Sequence, residues 1–125
     1  MPHHHPKKYL YDIHESTRNI LDFVSEKTFA DYSSSLMLKS AVERQFETIG
    51  EALKQLIKRY PEYKSEITNP SRIIAFRNRL IHGYSSVSDE VAWGIIEKDL
   101  PILNTETMIL LKKETQEPQN PIPTR

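Results

Sequence analysis

No cysteine occurs in the 125 residues, which excludes a disulfide framework and any thiolate metal site. No apolar run approaches a membrane span, and no charged-then-apolar segment resembles a signal peptide, so a cytoplasmic protein is expected. Strand-like alternation, hairpin signals and internal repeats are also missing. Net charge is zero at neutral pH, so the global field gives no sign of a nucleic-acid partner. Hydrophobic residues make up 38% and charged residues 27% of the chain, values that suit one soluble globular domain.

The pattern that remains is helical. Leu10, Ile13, Thr17, Ile20 and Val24 recur at steps of three and four and predict a first helix over 9–27. Val42, Phe46, Ile49, Leu53, Leu56 and Tyr60 keep the same rhythm in a second, capped by Ser33, Ser34 or Ser35 and ended by Pro61. Gly50 lies inside that helix and costs about 1 kcal/mol relative to Ala, which suggests a close approach by another backbone. The neighbouring Glu47 and Glu51 could serve a site, but solvent-facing acids fit the many lysines one turn away. In the third helix, Asn69 suits the cap and Pro70 the first position, with Ile73, Ile74, Leu80 and Ile81 buried and Gly83 as terminator. Ser88 caps a fourth helix through Trp93, Ile96, Leu100, Leu103, Thr107 and Leu110, which Pro101 should kink or split. The expected organisation is a disordered N-terminus at 1–8, one helical domain at 9–113, and a disordered proline-rich tail at 114–125. The three adjacent histidines at the start are read as a frayed end rather than a metal site, because nothing fixes their geometry. The fold class is an all-α, antiparallel bundle of four to five helices.

The stretch "FRNRLIHGY" (76–84) carries the chemistry. No Asp or Glu occurs between Glu66 and Asp89. That window holds Arg72, Arg77, Arg79 and His82, which makes either a positive patch or an ordinary solvated helix face. Arginine binds phosphate through two parallel hydrogen bonds, and histidine exchanges protons near neutrality. Tyrosine offers a hydroxyl for positioning and a ring for stacking. RNA supplies its own nucleophile, the 2′-hydroxyl. Its cleavage therefore needs a proton shuttle and a cation for the transition state, for which His82 and Arg77 are candidates, with Asn78 adding a hydrogen bond. On a regular helix Arg77 and His82 point roughly 140° apart. Either the helix loosens before Gly83, or the two side chains line a cleft between subunits. The plain alternative is a helix end whose Arg and His complement the macrodipole.

These residues resemble a known family. "RNRLIHGY" matches the Arg-x4-His-x-Tyr motif of HepT-like proteins in the HEPN superfamily, with Arg77, His82 and Tyr84 at the motif positions. "AVERQFETIGEALKQL", "RIIAFRNRLIHGY" and "VAWGIIEKDLPIL" resemble that family's second, third and fourth helices, so the similarity covers about 9–111. The resemblance implies a HEPN bundle that forms a homodimer with a shared cleft. It also implies a metal-independent endoribonuclease, acting as the toxin of a toxin–antitoxin pair. In such a pair the antitoxin, a minimal nucleotidyltransferase, adenylylates the motif tyrosine, here Tyr84. Arg77 and His82 would be catalytic, and Asn78 and Tyr84 would position substrate. No metal or other cofactor is implied. Two rivals stand beside this: a non-catalytic RNA- or partner-binding subunit of a nucleotidyltransferase, and a helical scaffold.

Overall fold

A computed structural model describes residues 5–83 and 87–116. Among these residues every regular element is helical. Helix α1 (Pro6–Phe23) is followed by a short α2 (Phe29–Ser34) and the long α3 (Leu36–Arg59). A single 3₁₀ turn (Pro61–Ser65) leads to α4 (Pro70–His82). Then come α5 (Asp89–Gly94), a widened π turn (Ile95–Asp99) and α6 (Leu100–Gln116). The all-α bundle is as expected. No helix among the described residues is long and apolar enough to cross a membrane.

The 3.6-residue rhythm becomes the core. Leu10, Ile13, Thr17 and Ile20 of α1, Val42, Phe46, Ile49, Leu53 and Leu56 of α3, and Leu100, Leu103, Thr107 and Leu110 of α6 are all buried. Helix α1 packs on both α3 and α6, while α4 lies on α3, so α4 has a single large helical neighbour. Phe76 anchors it there, edge-on to Phe46 with ring centroids 4.9 Å apart, a pairing that adds about 0.5–1.5 kcal/mol to area burial. Buried Thr17 and Thr107 return their hydroxyls to carbonyls one turn back, at 2.7 Å to Ile13 and 2.8 Å to Leu103. No buried hydroxyl is thereby left unmade.

The ends differ in instructive ways. Helix α1 begins at Pro6 and stops at Phe23, short of the expected Lys27. Glu26 takes a left-handed conformation (φ 63°) that no helix continues through. Helix α2 was not anticipated; Thr28 and Asp31 form a reciprocal capping box at 3.1 and 2.9 Å. Ser35 caps α3 by accepting from the Leu38 N–H at 3.0 Å. Asn69 does stand before α4, but its side chain makes no cap; its backbone is left-handed (φ 54°, ψ 46°) and turns the chain instead. Ser88 caps α5 as expected, accepting from the Glu90 and Val91 N–H groups. Pro101 splits the last helix by widening the turn before it, because its ring would collide with the carbonyl four residues back in a tight helix. Helix α6 runs on to Gln116, beyond the expected end at 113. Ile81, expected inside, is 40% exposed.

Candidate active site

Helix α4 stays regular through His82, and the Gly83 N–H closes the last turn by donating to the Arg79 carbonyl at 2.8 Å. The loosening that could have swung His82 round towards Arg77 does not occur. The five-residue separation therefore stands at roughly 140° and about 7.5 Å along the axis. The two side chains leave the helix on different sides.

Arg77 points at α3. Its stem lies across Gly50: a Cβ placed there would come within 2.4 Å of both Cβ and Cγ of Arg77. What approaches Gly50 so closely is a side chain, and the missing methyl makes room for it. The guanidinium then meets two acceptors. Nη2 donates to Glu51 Oε1 at 2.9 Å, and Nη1 donates to Asn78 Oδ1 at 3.0 Å. Nε is buried without a partner. The Arg77 side chain is only 14% exposed against 49% for Glu51. Glu51 is thus not a plain solvent-facing acid. It is the counter-ion of the motif arginine, and Gln55 Nε2 donates to its other oxygen at 3.1 Å. The sequence signal for this was Gly50 beside an acid on a helix that otherwise had no need of a glycine.

Asn78 links the two halves of the motif. It is next to Arg77 in sequence and holds its Nη1, and it stands four residues before His82, hence on the same helix face. Ser71, Ala75, Asn78 and His82 follow at steps of four, three and four and form one stripe without Asp, Glu, Lys or Arg. Ser71, Ala75 and His82 are exposed and Asn78 is half-buried. The structure thus brings Arg77 and Asn78 together and leaves His82 open one turn further along, with no contact to Arg77. Tyr84 lies outside the described residues.

The acid-free window makes a smaller positive patch than the sequence suggests. Arg72 pairs with Asp99 of the π turn at 3.3 Å, and Arg77 with Glu51. Arg79 is exposed and makes no ion pair among the described residues. Two open grooves lie elsewhere. One of about 610 Å³ runs past Phe23, Met37 and Ala41, and one of about 450 Å³ runs between α1 and α3 past Tyr9, Arg44 and Glu51. Neither is lined by Arg77, Asn78 or His82. Among the described residues no group of three or more His, Cys, Asp or Glu side chains is arranged to hold a metal ion.

A contrasting histidine is half-buried on α1. His14 Nδ1 bonds Thr107 Oγ1 at 2.9 Å. The Thr107 hydroxyl already donates to the Leu103 carbonyl, so the ring nitrogen is the donor. Burial, reinforced by the Arg18 charge, pushes the His14 pKa below its ordinary value.

Comparison with known proteins places this geometry. The model of a family described as "Ribonuclease HepT-like" matches residues 13–109. A Methanocaldococcus jannaschii protein called "Putative RNase MJ0127" is 32% identical over 127 residues, covering 98% of this chain and 100% of the relative. A "Probable ribonuclease HepT" of Thermococcus cleftensis is 37% identical over 98 residues, 78% of this chain and 87% of the relative. "Putative RNase TTE0752" of Caldanaerobacter subterraneus is 34% identical over 110 residues, 87% of this chain and 96% of the relative. No solved structure matches. The matched span runs from α1 into α6 and contains Gly50, Glu51, Arg77, Asn78 and His82: this chain belongs to the HepT-like ribonuclease family.

Proposed function

We propose that the protein is a metal-independent endoribonuclease and the toxin of a two-component toxin–antitoxin pair acting in the cytoplasm. One observation carries the reading: Asn78 holds Arg77 on one side and shares its helix face with His82 on the other. A phosphodiester in a cleft that Asn78 lines would meet Arg77 of one copy and His82 of the other. The 2′-hydroxyl attacks the adjacent phosphorus, the O2′–P bond forms and the P–O5′ bond breaks. His82 exchanges the protons, taking one from O2′ or returning one to O5′. Arg77 carries the charge that builds on the phosphoryl oxygens. Asn78 and Tyr84 position the substrate.

A second copy of the chain completes the site. The stripe of Ser71, Ala75, Asn78 and His82, bordered by exposed Ile81, carries no Asp, Glu, Lys or Arg, which suits packing of one α4 against another. Two copies of the motif then face one cleft, and the 140° splay within one helix ceases to matter. Control comes from a minimal nucleotidyltransferase that adenylylates Tyr84. The added nucleotide occupies the cleft, and its phosphodiester charge repels RNA.

One observation favours a second reading, a non-catalytic binding subunit of the nucleotidyltransferase: Arg77 is already neutralised by Glu51. The two separate cleanly. Purified protein, confirmed by intact mass to carry no nucleotide, is incubated with RNA in excess chelator. The nuclease reading predicts cleavage, lost in His82→Ala. Uncut RNA with the unmodified wild type, or full cleavage by the variant, contradicts it.

A further inference from the structure

We infer that Glu51 is a positioning residue of this site, fixing the plane of the Arg77 guanidinium so that its two remaining terminal N–H groups meet a phosphodiester. The inference rests on the reading of Arg77 as the phosphate-binding group, and it concerns a residue outside the motif, on a different helix.

The geometry divides the work of holding Arg77. Gly50 seats the stem, since no Cβ could coexist with Arg77 Cβ and Cγ at 2.4 Å. That contact leaves the last torsions of the side chain free. Nε cannot fix them, because it is buried with no partner. The plane is set by two acceptors on different nitrogens and different helices: Glu51 Oε1 from α3 at 2.9 Å and Asn78 Oδ1 from α4 at 3.0 Å. Glu51 is steadied in turn by Gln55, so each of its oxygens has a donor. Each terminal nitrogen carries two N–H groups and has used one. One remains on each, and these are the donors left for phosphate oxygens.

Two effects of the Glu51 charge oppose each other, and this gives the inference its signature. The carboxylate holds the guanidinium in place, which favours the transition state. It also offsets the positive charge that draws RNA, which weakens ground-state binding. Removing it should lower kcat while KM stays level or falls. A residue needed only for folding would lower the active fraction and leave KM and the kcat of active molecules alone.

The test uses the full chain with Glu51→Ala and Glu51→Gln. Single-turnover cleavage is read beside the ¹⁵N–¹H resonance of Arg77 Nε, assigned by its loss in Arg77→Lys. The Gln variant keeps an oxygen for Nη2 and guards against a fold lost in the Ala variant. Expected for Glu51→Ala is a drop in kcat of about 10- to 100-fold without a rise in KM, with the Nε resonance moving to the position of a solvated arginine. Glu51→Gln should keep most of the rate and the native resonance. A Glu51→Ala rate within about twofold of wild type, well below the loss expected from misplacement, overturns the inference. So does an unmoved resonance. Equal losses in both variants that track unfolding assign Glu51 a structural role alone and overturn it too. If the wild type cuts no RNA, the functional reading fails separately, and the resonance still decides whether Glu51 orients Arg77.

Discussion

Arg77 and His82 stand little more than one turn apart on α4, yet the fold treats them in opposite ways. Arg77 is enclosed: Gly50 under its stem, Glu51 and Asn78 on its head, only 14% of the side chain exposed. His82 is exposed in the last turn of its helix. The difference follows from packing. Helix α4 has one large helical neighbour, α3, and Arg77 lies on the face turned towards it. His82 lies on the face turned away. On the proposed reading, the charge-bearing half of the site is preorganised within one chain, and the proton-transferring half is left for a second copy to enclose.

Substituting each end in turn should break the symmetry of the motif. His82→Ala should lower RNA cleavage by about 10²- to 10⁴-fold, the usual worth of a general acid or base. Its stability should change by no more than about 0.5 kcal/mol, as for other exposed substitutions. Arg77→Ala should lose cleavage to a similar degree and lose stability too, because a packed stem and two hydrogen bonds disappear together. Chemical denaturation beside the cleavage assay reads both. Equal stability loss in the two variants would erase the distinction between a held and an open end.

Gly50→Ala sharpens the same contrast from the opposite helix. Alanine gains about 1 kcal/mol of helix propensity, but overpacking costs about 1–3 kcal/mol. The clash involves Cβ of Arg77, which no rotamer change can move. A modest net destabilisation is therefore expected, with a cleavage loss of about 10²-fold from a displaced guanidinium. Retained cleavage in a stabilised Gly50→Ala protein would show that the stem is not held as described.

The smallest effect comes from the half-buried histidine. His14 is held between α1 and α6, and its folded pKa lies below the unfolded 6.5. The unfolded chain then binds more protons as pH falls through that range, so stability declines from pH about 6.5 downward until the lowered folded value is passed. Thermal unfolding across this range should show the decline, and His14→Gln should flatten it.

The helices were legible where periodicity agreed with a cap and a proline, as in α3, or with a proline at the first position, as in α4. Helix α2 was missed although Thr28 and Asp31 carried its capping-box spacing, because six residues show no period. Pro101 foretold a break but not its form, since a widened turn depends on the packing around Ile95 and Ile96. Part of the candidate site was visible as well. Arg77, Asn78 and His82 follow from residue chemistry and the motif. Glu51 does not, because helical spacing places it among lysines, and only the packing of α3 on α4 aims it at Arg77. Ile81 reads as core by rhythm alone, yet it is exposed in the last turn of α4.

The central claim is that Arg77 and His82 act on one phosphodiester in a cleft shared by two copies of the chain. Arg77→Ala and His82→Ala chains, given different affinity tags, co-expressed and isolated as the mixed pair, test it most directly. A shared cleft still holds one arginine and one histidine in that pair. Cleavage should therefore return in the mixed pair while each parent stays silent. A mixed pair as silent as its parents would contradict the shared site.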